Sequence, residues 1–125
     1  MISIGIDICN VKRFDRLKEN RAFLKRVFAE SELEICLKRK RISECLAVRF
    51  AAKEAFVKAI GTGIRDGIKL REIVIRKNEI GRPFISLEGE TEEYYNRING
   101  GQINLSLSHE KEFAIAVVII EKKEV

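Results

Sequence analysis

Residues 47 to 60 constrain the fold more than any other stretch of this chain. Val48, Ala52, Ala55, Phe56 and Ala59 recur at helical spacing and form one buried stripe. Ala47, Ala51, Glu54 and Lys58 recur on a neighbouring stripe. Its two alanines leave room beside the acid and the base. The pattern predicts a helix that carries a carboxylate and an ammonium one turn apart, over a floor of small side chains. Gly61-Thr62-Gly63 follows at once, ending the helix and letting backbone approach a ligand closely. Spacing alone does not separate this from a surface ion pair with a glycine stop.

The 125 residues suit one domain, 1–125, able to bury roughly two-thirds of its unfolded surface. Hydrophobic residues make up 46% and charged residues 34%, which fits an ordered globule and excludes a disordered segment. No apolar run approaches the roughly 18–20 residues of a membrane span. The first residues lack a basic region and carry Asp7, so they do not read as a signal peptide. Cys9, Cys36 and Cys45 share no metal-ligand spacing and read as packed, reduced thiols of a cytoplasmic protein.

The net charge of +5 is unevenly placed. Residues 12–41 hold eleven Lys/Arg against five Asp/Glu, a surplus of +6, and the remainder is nearly neutral. Such a segment attracts an acidic protein, nucleic acid or an anionic surface, unless it is simply a solvated helical face.

Along the chain, 2–8 reads as a β-branched strand, buried, with Asp7 at its end and Asn10 as a helix cap. Residues 11–28 read as a basic helical region. Ser31-Glu32-Leu33-Glu34 reads as a capping box opening a helix that ends in 38–41. Ser43 reads as the cap of the long helix. Strands follow at 70–76 and 84–87 around the Gly81-Arg82-Pro83 turn, then a helix at 91–98. Residues 103–108 alternate strictly and read as a half-exposed strand. Residues 113–120 read as a strand buried on both faces, followed by a frayed tail. The order predicts an α+β fold, with an antiparallel sheet packed with a long helix and shorter helices.

Few residues suit chemistry. Asp7 at a strand end needs a partner, a cap or a metal. An Asp and a Glu from separate elements, with a lysine nearby, suit Mg²⁺ and phosphate, because Mg²⁺ takes one or two protein carboxylates and fills its other sites with phosphate oxygens and water. His109, the lone histidine, closes a strand that carries Ser106 and Ser108 on one face. No Walker A pattern, zinc spacing or Ser-His-Asp order is present.

These residues carry a resemblance. Gly5-Ile6-Asp7, Arg13, Phe50-Ala51-Ala52-Lys53-Glu54-Ala55 with Lys58, Gly61-Thr62-Gly63, Gly81-Arg82-Pro83 and Ser106-Leu107-Ser108-His109 resemble, in order and nearly end to end, the holo-acyl-carrier-protein synthases. These are the short, bacterial type of 4′-phosphopantetheinyl transferase. The resemblance implies transfer of the 4′-phosphopantetheine arm from coenzyme A to a serine of apo acyl carrier protein. Adenosine 3′,5′-bisphosphate is released, and the reaction supports fatty acid biosynthesis. It implies Mg²⁺ on Asp7 and Glu54, Lys58 at the pyrophosphate, and Glu54 on the route of the serine proton. It implies Arg49, Lys53 and His109 at the coenzyme A phosphates, backbone approach at Gly61 and Gly63, and Pro83 near the adenine. Arg13, Arg21 and Arg26 would dock the acidic carrier, with Phe14, Leu17 and Phe23 as apolar contacts between the charges. It further implies a homotrimer with active sites between subunits.

Two other classes compete. A small basic nucleic-acid-binding domain accounts for residues 12–41 but not for Asp7, Glu54 and Lys58, and two Tyr with no Trp offer little for base stacking. A metal-dependent phosphohydrolase would use the same carboxylates.

Overall fold

A computed structural model describes residues 1–61 and 67–123. Strand β1 (Ile2–Asn10) leads into three short helices, α1 (Arg13–Leu17), α2 (Arg21–Val27) and α3 (Glu30–Cys36), and then the long α4 (Ile42–Ile60). A single 3-10 turn at Leu70–Glu72 precedes the hairpin β2 (Ile73–Lys77) and β3 (Pro83–Leu87). Helix α5 (Gly89–Arg97) and the strands β4 (Gly100–His109) and β5 (Phe113–Lys122) complete the chain. The expected α+β class stands, but the strands form two antiparallel sheets, β1-β5-β4 and β2-β3.

Helix α4 is the axis of the core. Ala47, Ala51, Ala52, Ala55 and Phe56 are fully buried, and both alanine stripes pack inward. Small residues let β1 come close. A Cβ on Gly5 would meet the Ala55 carbonyl oxygen and lie 2.6 Å from the Ala59 nitrogen, so only glycine permits this crossing. The helix ends at Gly61, whose φ of 79° is the left-handed cap expected there. Its N-terminus differs from expectation. Helix α4 starts at Ile42, and Ser43 lies inside it, donating its hydroxyl to Asp15 Oδ1 at 2.6 Å.

Strand β1 inverts the expected burial. Ser3, Gly5, Asp7 and Cys9 face α4, whereas Ile2, Ile4, Ile6 and Ile8 face outward and are about 60% exposed. Asp7 lies within the strand, which runs on to Asn10. Strand β5 is buried on one face only, through Ala114, Ala116, Val118 and Ile120. Its tail is not wholly frayed, since pairing reaches Glu121 opposite Ile2. The 70–76 strand begins only at Ile73.

The basic region breaks in two because Asn20 Oδ1 accepts from Phe23 N at 3.1 Å and caps α2. The start of α3 lies earlier than expected. Glu32 Oε1 accepts from Ala29 N at 2.9 Å, so Glu32, not Ser31, secures that end. Cys36 and Cys45 are joined as a disulfide, which corrects the expectation of reduced thiols there; Cys9 is free and buried.

Candidate active site

Two polar clusters flank α4. The first stands where β1 crosses the helix. Asp7 projects inward from β1, and Lys58 reaches it from the last turns of α4. Lys58 Nζ donates to Asp7 Oδ1 at 3.0 Å and to the Ile6 carbonyl at 3.1 Å. The ammonium expected beside Glu54 is thus paired with the carboxylate of the other element. Glu54 sits half-buried one turn before Lys58. Burial pushes its acid upward, and the charge of Asp7 adds to this; Lys58 and Arg13 pull it down.

Two carboxylates from separate elements, one of them half-buried, form a donor set suited to a hard divalent cation. No group of three or more metal-ligating side chains occurs among the described residues. Mg²⁺ is the metal that tolerates this, since substrate oxygens and water complete its shell. Asp7 and Glu54 therefore fit the expected metal.

The second cluster lines a cleft of about 540 Å³ between α4, the β2–β3 hairpin and the end of β4. Arg49, Gly81, Pro83 and His109 meet there. Arg49 is buried, and its Nη1 donates to the Cys45 carbonyl at 3.3 Å and to Cys45 Sγ at 3.1 Å, while its Nε has no partner among the described residues. Burial weighs against its cation; Glu32 favours it and Arg39 opposes it. An anion in the cleft would relieve the burial cost. His109 Nδ1 stands 3.7 Å from Glu44 Oε1. It faces away from Ser106 and Ser108, which lie on the other face of β4, so the expected neighbourhood of hydroxyls is not found.

The cleft also shows cations not singled out from the sequence. Arg39, Lys40 and Arg41 line it. Their only signal was the charge run itself, and a run does not reveal which way it faces.

Asp7, Glu54 and Lys58 do not line this cleft. Lys58 lies nine residues beyond Arg49, about 13–14 Å along the axis and roughly half a turn around it. One chain therefore presents the two clusters on opposite sides of α4.

Two expected site residues are corrected. Lys53 is fully buried, with Nζ bonded to Glu32 Oε1 at 2.7 Å, the Ile73 carbonyl at 2.6 Å and the Leu70 carbonyl at 2.9 Å. Glu32 Oε2 accepts from Ile75 N at 3.2 Å. This pair ties α3, α4 and β2 together and has no reach to a phosphate. Phe14 is also fully buried, with its ring 5.6 Å from Phe50 and 6.3 Å from Phe28, so it cannot touch a carrier. Arg13, Arg21 and Arg26 are exposed on α1 and α2, and Leu17 and Phe23 are half-buried beside them. Arg13 lies 5.5 Å over the Phe50 ring. Gly61 is exposed at the helix end, and Gly63 falls outside the described residues.

The chain is similar in sequence and fold to known proteins. Residues 3–118 match the family model of the 4′-phosphopantetheinyl transferase superfamily. The chain is 46% identical to the holo-[acyl-carrier-protein] synthase of Trichlorobacter lovleyi, over 97% of this chain and 98% of that one. The crystal structure of the synthase from Neisseria meningitidis superposes with a TM-score of 0.90 at 36% identity, covering 98% of this chain and 100% of that one. The Helicobacter pylori synthase, solved in complex with coenzyme A, gives a TM-score of 0.80 at 34% identity, covering 94% and 99%. The chain belongs to the 4′-phosphopantetheinyl transferase superfamily, and within it to the holo-acyl-carrier-protein synthases. It is a transferase by that membership.

Proposed function

We propose that this chain moves the 4′-phosphopantetheine arm of coenzyme A onto a serine of apo acyl carrier protein. The reaction would be Mg²⁺-dependent, release adenosine 3′,5′-bisphosphate and serve fatty acid biosynthesis in the cytoplasm. The observation that carries this reading is the meeting of Asp7, Glu54 and Lys58 at the β1–α4 crossing. Among the described residues no helix is long and apolar enough to cross a membrane.

Asp7 and Glu54 would hold Mg²⁺, which supplies charge neutralisation at the pyrophosphate when bound. Lys58, paired with Asp7 and one helical turn from Glu54, adds a positive charge where the leaving nucleotide becomes more negative. The serine proton needs an acceptor, and Glu54 is the carboxylate we assign to that route. Arg49 and His109, aided by Arg39, Lys40 and Arg41, would hold the nucleotide phosphates, with Pro83 against the adenine and Gly61 near the ligand backbone. Lys53 and Phe14 have no part in binding and act through the core.

The exposed cations Arg13, Arg21 and Arg26 would steer the acidic carrier, with Leu17 and Phe23 as partial apolar contacts. The two clusters on opposite sides of α4 suit a site completed between copies of the chain. The outward isoleucines of β1 supply a face for that assembly, and a homotrimer is the form we infer.

Incubation with coenzyme A, Mg²⁺ and apo carrier tests the reading by mass spectrometry of the carrier. A mass gain equal to the phosphopantetheine arm is expected, abolished by chelator and reduced by orders of magnitude in Asp7→Asn and Lys58→Ala. Free phosphate without carrier modification would point to a phosphohydrolase and overturn it. Failure of both, with salt-sensitive binding to nucleic acid, would favour the basic binding domain.

A further inference from the structure

The Cys36–Cys45 pair borders the nucleotide cleft in a way the transfer reaction does not use. Cys36 is fully buried at the end of α3, and Cys45 lies in the first turns of α4, in the wall of the cleft. The bond closes a loop of sequence separation 9. That loop contains four consecutive cations, Lys38, Arg39, Lys40 and Arg41, all exposed. Three of them line the cleft.

Among the described residues, few other bonds hold the segment. Its backbone contacts are those at its ends, Leu37 N to the Leu33 carbonyl, Arg39 N to the Cys36 carbonyl at 3.1 Å, and Cys45 N to the Arg41 carbonyl at 3.1 Å. One side-chain bond, Arg41 to Glu44 at 3.4 Å, is long and exposed. Four adjacent like charges repel one another, so the segment spreads unless it is clasped. A covalent link between its flanks restricts that spread, as loop closure does generally.

We propose that Cys36 and Cys45 form a redox clasp that holds the basic segment over the cleft, so that nucleotide affinity follows the thiol state of the pair. This rests on the assignment of the cleft to the coenzyme A nucleotide. The reaction is thiol–disulfide exchange with a dithiol reductant. A reductant thiolate attacks the accessible Cys45 sulfur, the S–S bond breaks, and its electron pair leaves on Cys36 sulfur, which takes a proton. The reductant's second thiolate then attacks its own sulfur in the mixed disulfide and releases Cys45, which is protonated in turn. The protein pair gains two electrons and two protons, and the dithiol becomes a disulfide. Arg49 Nη1, 3.1 Å from Cys45 Sγ, favours Cys45 as the departing thiolate and, in reverse, as the attacking one.

The test uses adenosine 3′,5′-bisphosphate, because coenzyme A carries a thiol that would itself exchange. Air-oxidised and dithiothreitol-reduced protein are alkylated after denaturation and weighed. One reactive thiol, Cys9, is expected in the first and three in the second. Calorimetry then gives Kd for the bisphosphate in each form. Reduction should weaken binding about fivefold, the effect of losing one cation from a phosphate. It should also flatten the salt dependence of Kd. Cys36→Ala should show the reduced affinity and ignore reductant, while Cys9→Ser should keep the response. Should Cys36→Ala fail to fold, the two forms of the unsubstituted protein still decide the matter. Three reactive thiols in the oxidised sample, or equal Kd in both forms, would overturn the clasp. Absence of bisphosphate binding in either form, with the thiol counts as expected, would instead overturn the cleft assignment and the clasp's effect with it.

Discussion

Glu54 shows how one residue's surroundings translate into a measurable pH dependence. Burial is the main cause of its raised acid, and Asp7 the next. The unfolded reference is about 4.3. A carboxyl raised in the folded state binds protons more tightly when folded. Its contribution is therefore fully favourable below about pH 4 and is lost as pH rises through the raised folded value. At neutral pH without metal, the charged Glu54 works against the fold. Glu54→Gln should raise the unfolding midpoint of the metal-free protein at pH 7, and the gap should close as pH falls to about 4. Thermal scans in chelator across that range check this. An unchanged midpoint at pH 7 would mean that the carboxylate is solvated and feels neither the burial nor Asp7. The two lysines of the same helix show where residue-level reading stops. Lys58 and Lys53 look alike in the sequence, yet one meets Asp7 and the other is enclosed by Glu32, Leu70 and Ile73. Those partners lie 17 to 21 residues away. No local pattern announces a buried ion pair, so Lys53 carries the same weight on paper as a phosphate ligand.

At the scale of elements, α4 is legible because nineteen residues give its period enough repeats, and its glycine cap is unambiguous. Strand β1 is legible as a strand but not in its orientation. A period of two fixes which residues share a face, not which face meets the core. Here the core takes the small and polar set, since only glycine fits against the Ala55 carbonyl. This contact also sets the distance from Asp7 to α4. Gly5→Ala should push β1 outward, destabilise the fold by about 1–3 kcal/mol through overpacking, and lower turnover by more than that loss of folded protein explains. Denaturant unfolding and carrier modification, measured on the same sample, separate the two effects. Full stability with full turnover would show that the crossing has slack.

For the whole molecule, the outer face of the three-stranded sheet governs. Ile4, Ile6 and Ile8 of β1 lie opposite Ile119, Val117 and Ile115 of β5, so cross-strand pairs form a continuous apolar surface. Beyond it β4 presents Asn104, Ser106 and Ser108. This apolar surface suits the docking face between copies proposed above, and it lies back to back with the strand positions that carry Asp7. The proposal places one copy's Asp7, Glu54 and Lys58 beside another copy's Arg49 and His109, which a single chain keeps on opposite sides of α4. Sedimentation should give three times the chain mass of 14.4 kDa, and Ile4→Lys should give a folded monomer without transferase activity. The sharper experiment mixes two inactive proteins. Asp7→Asn spoils the metal cluster and leaves the cleft intact; Arg49→Ala does the reverse. If each site draws on two copies, refolding an equal mixture should restore activity in about one quarter of the sites, because that share pairs an intact metal cluster with an intact cleft. If each site lies within one copy, every site in the mixture carries a defect and the activity stays at the level of the separate variants.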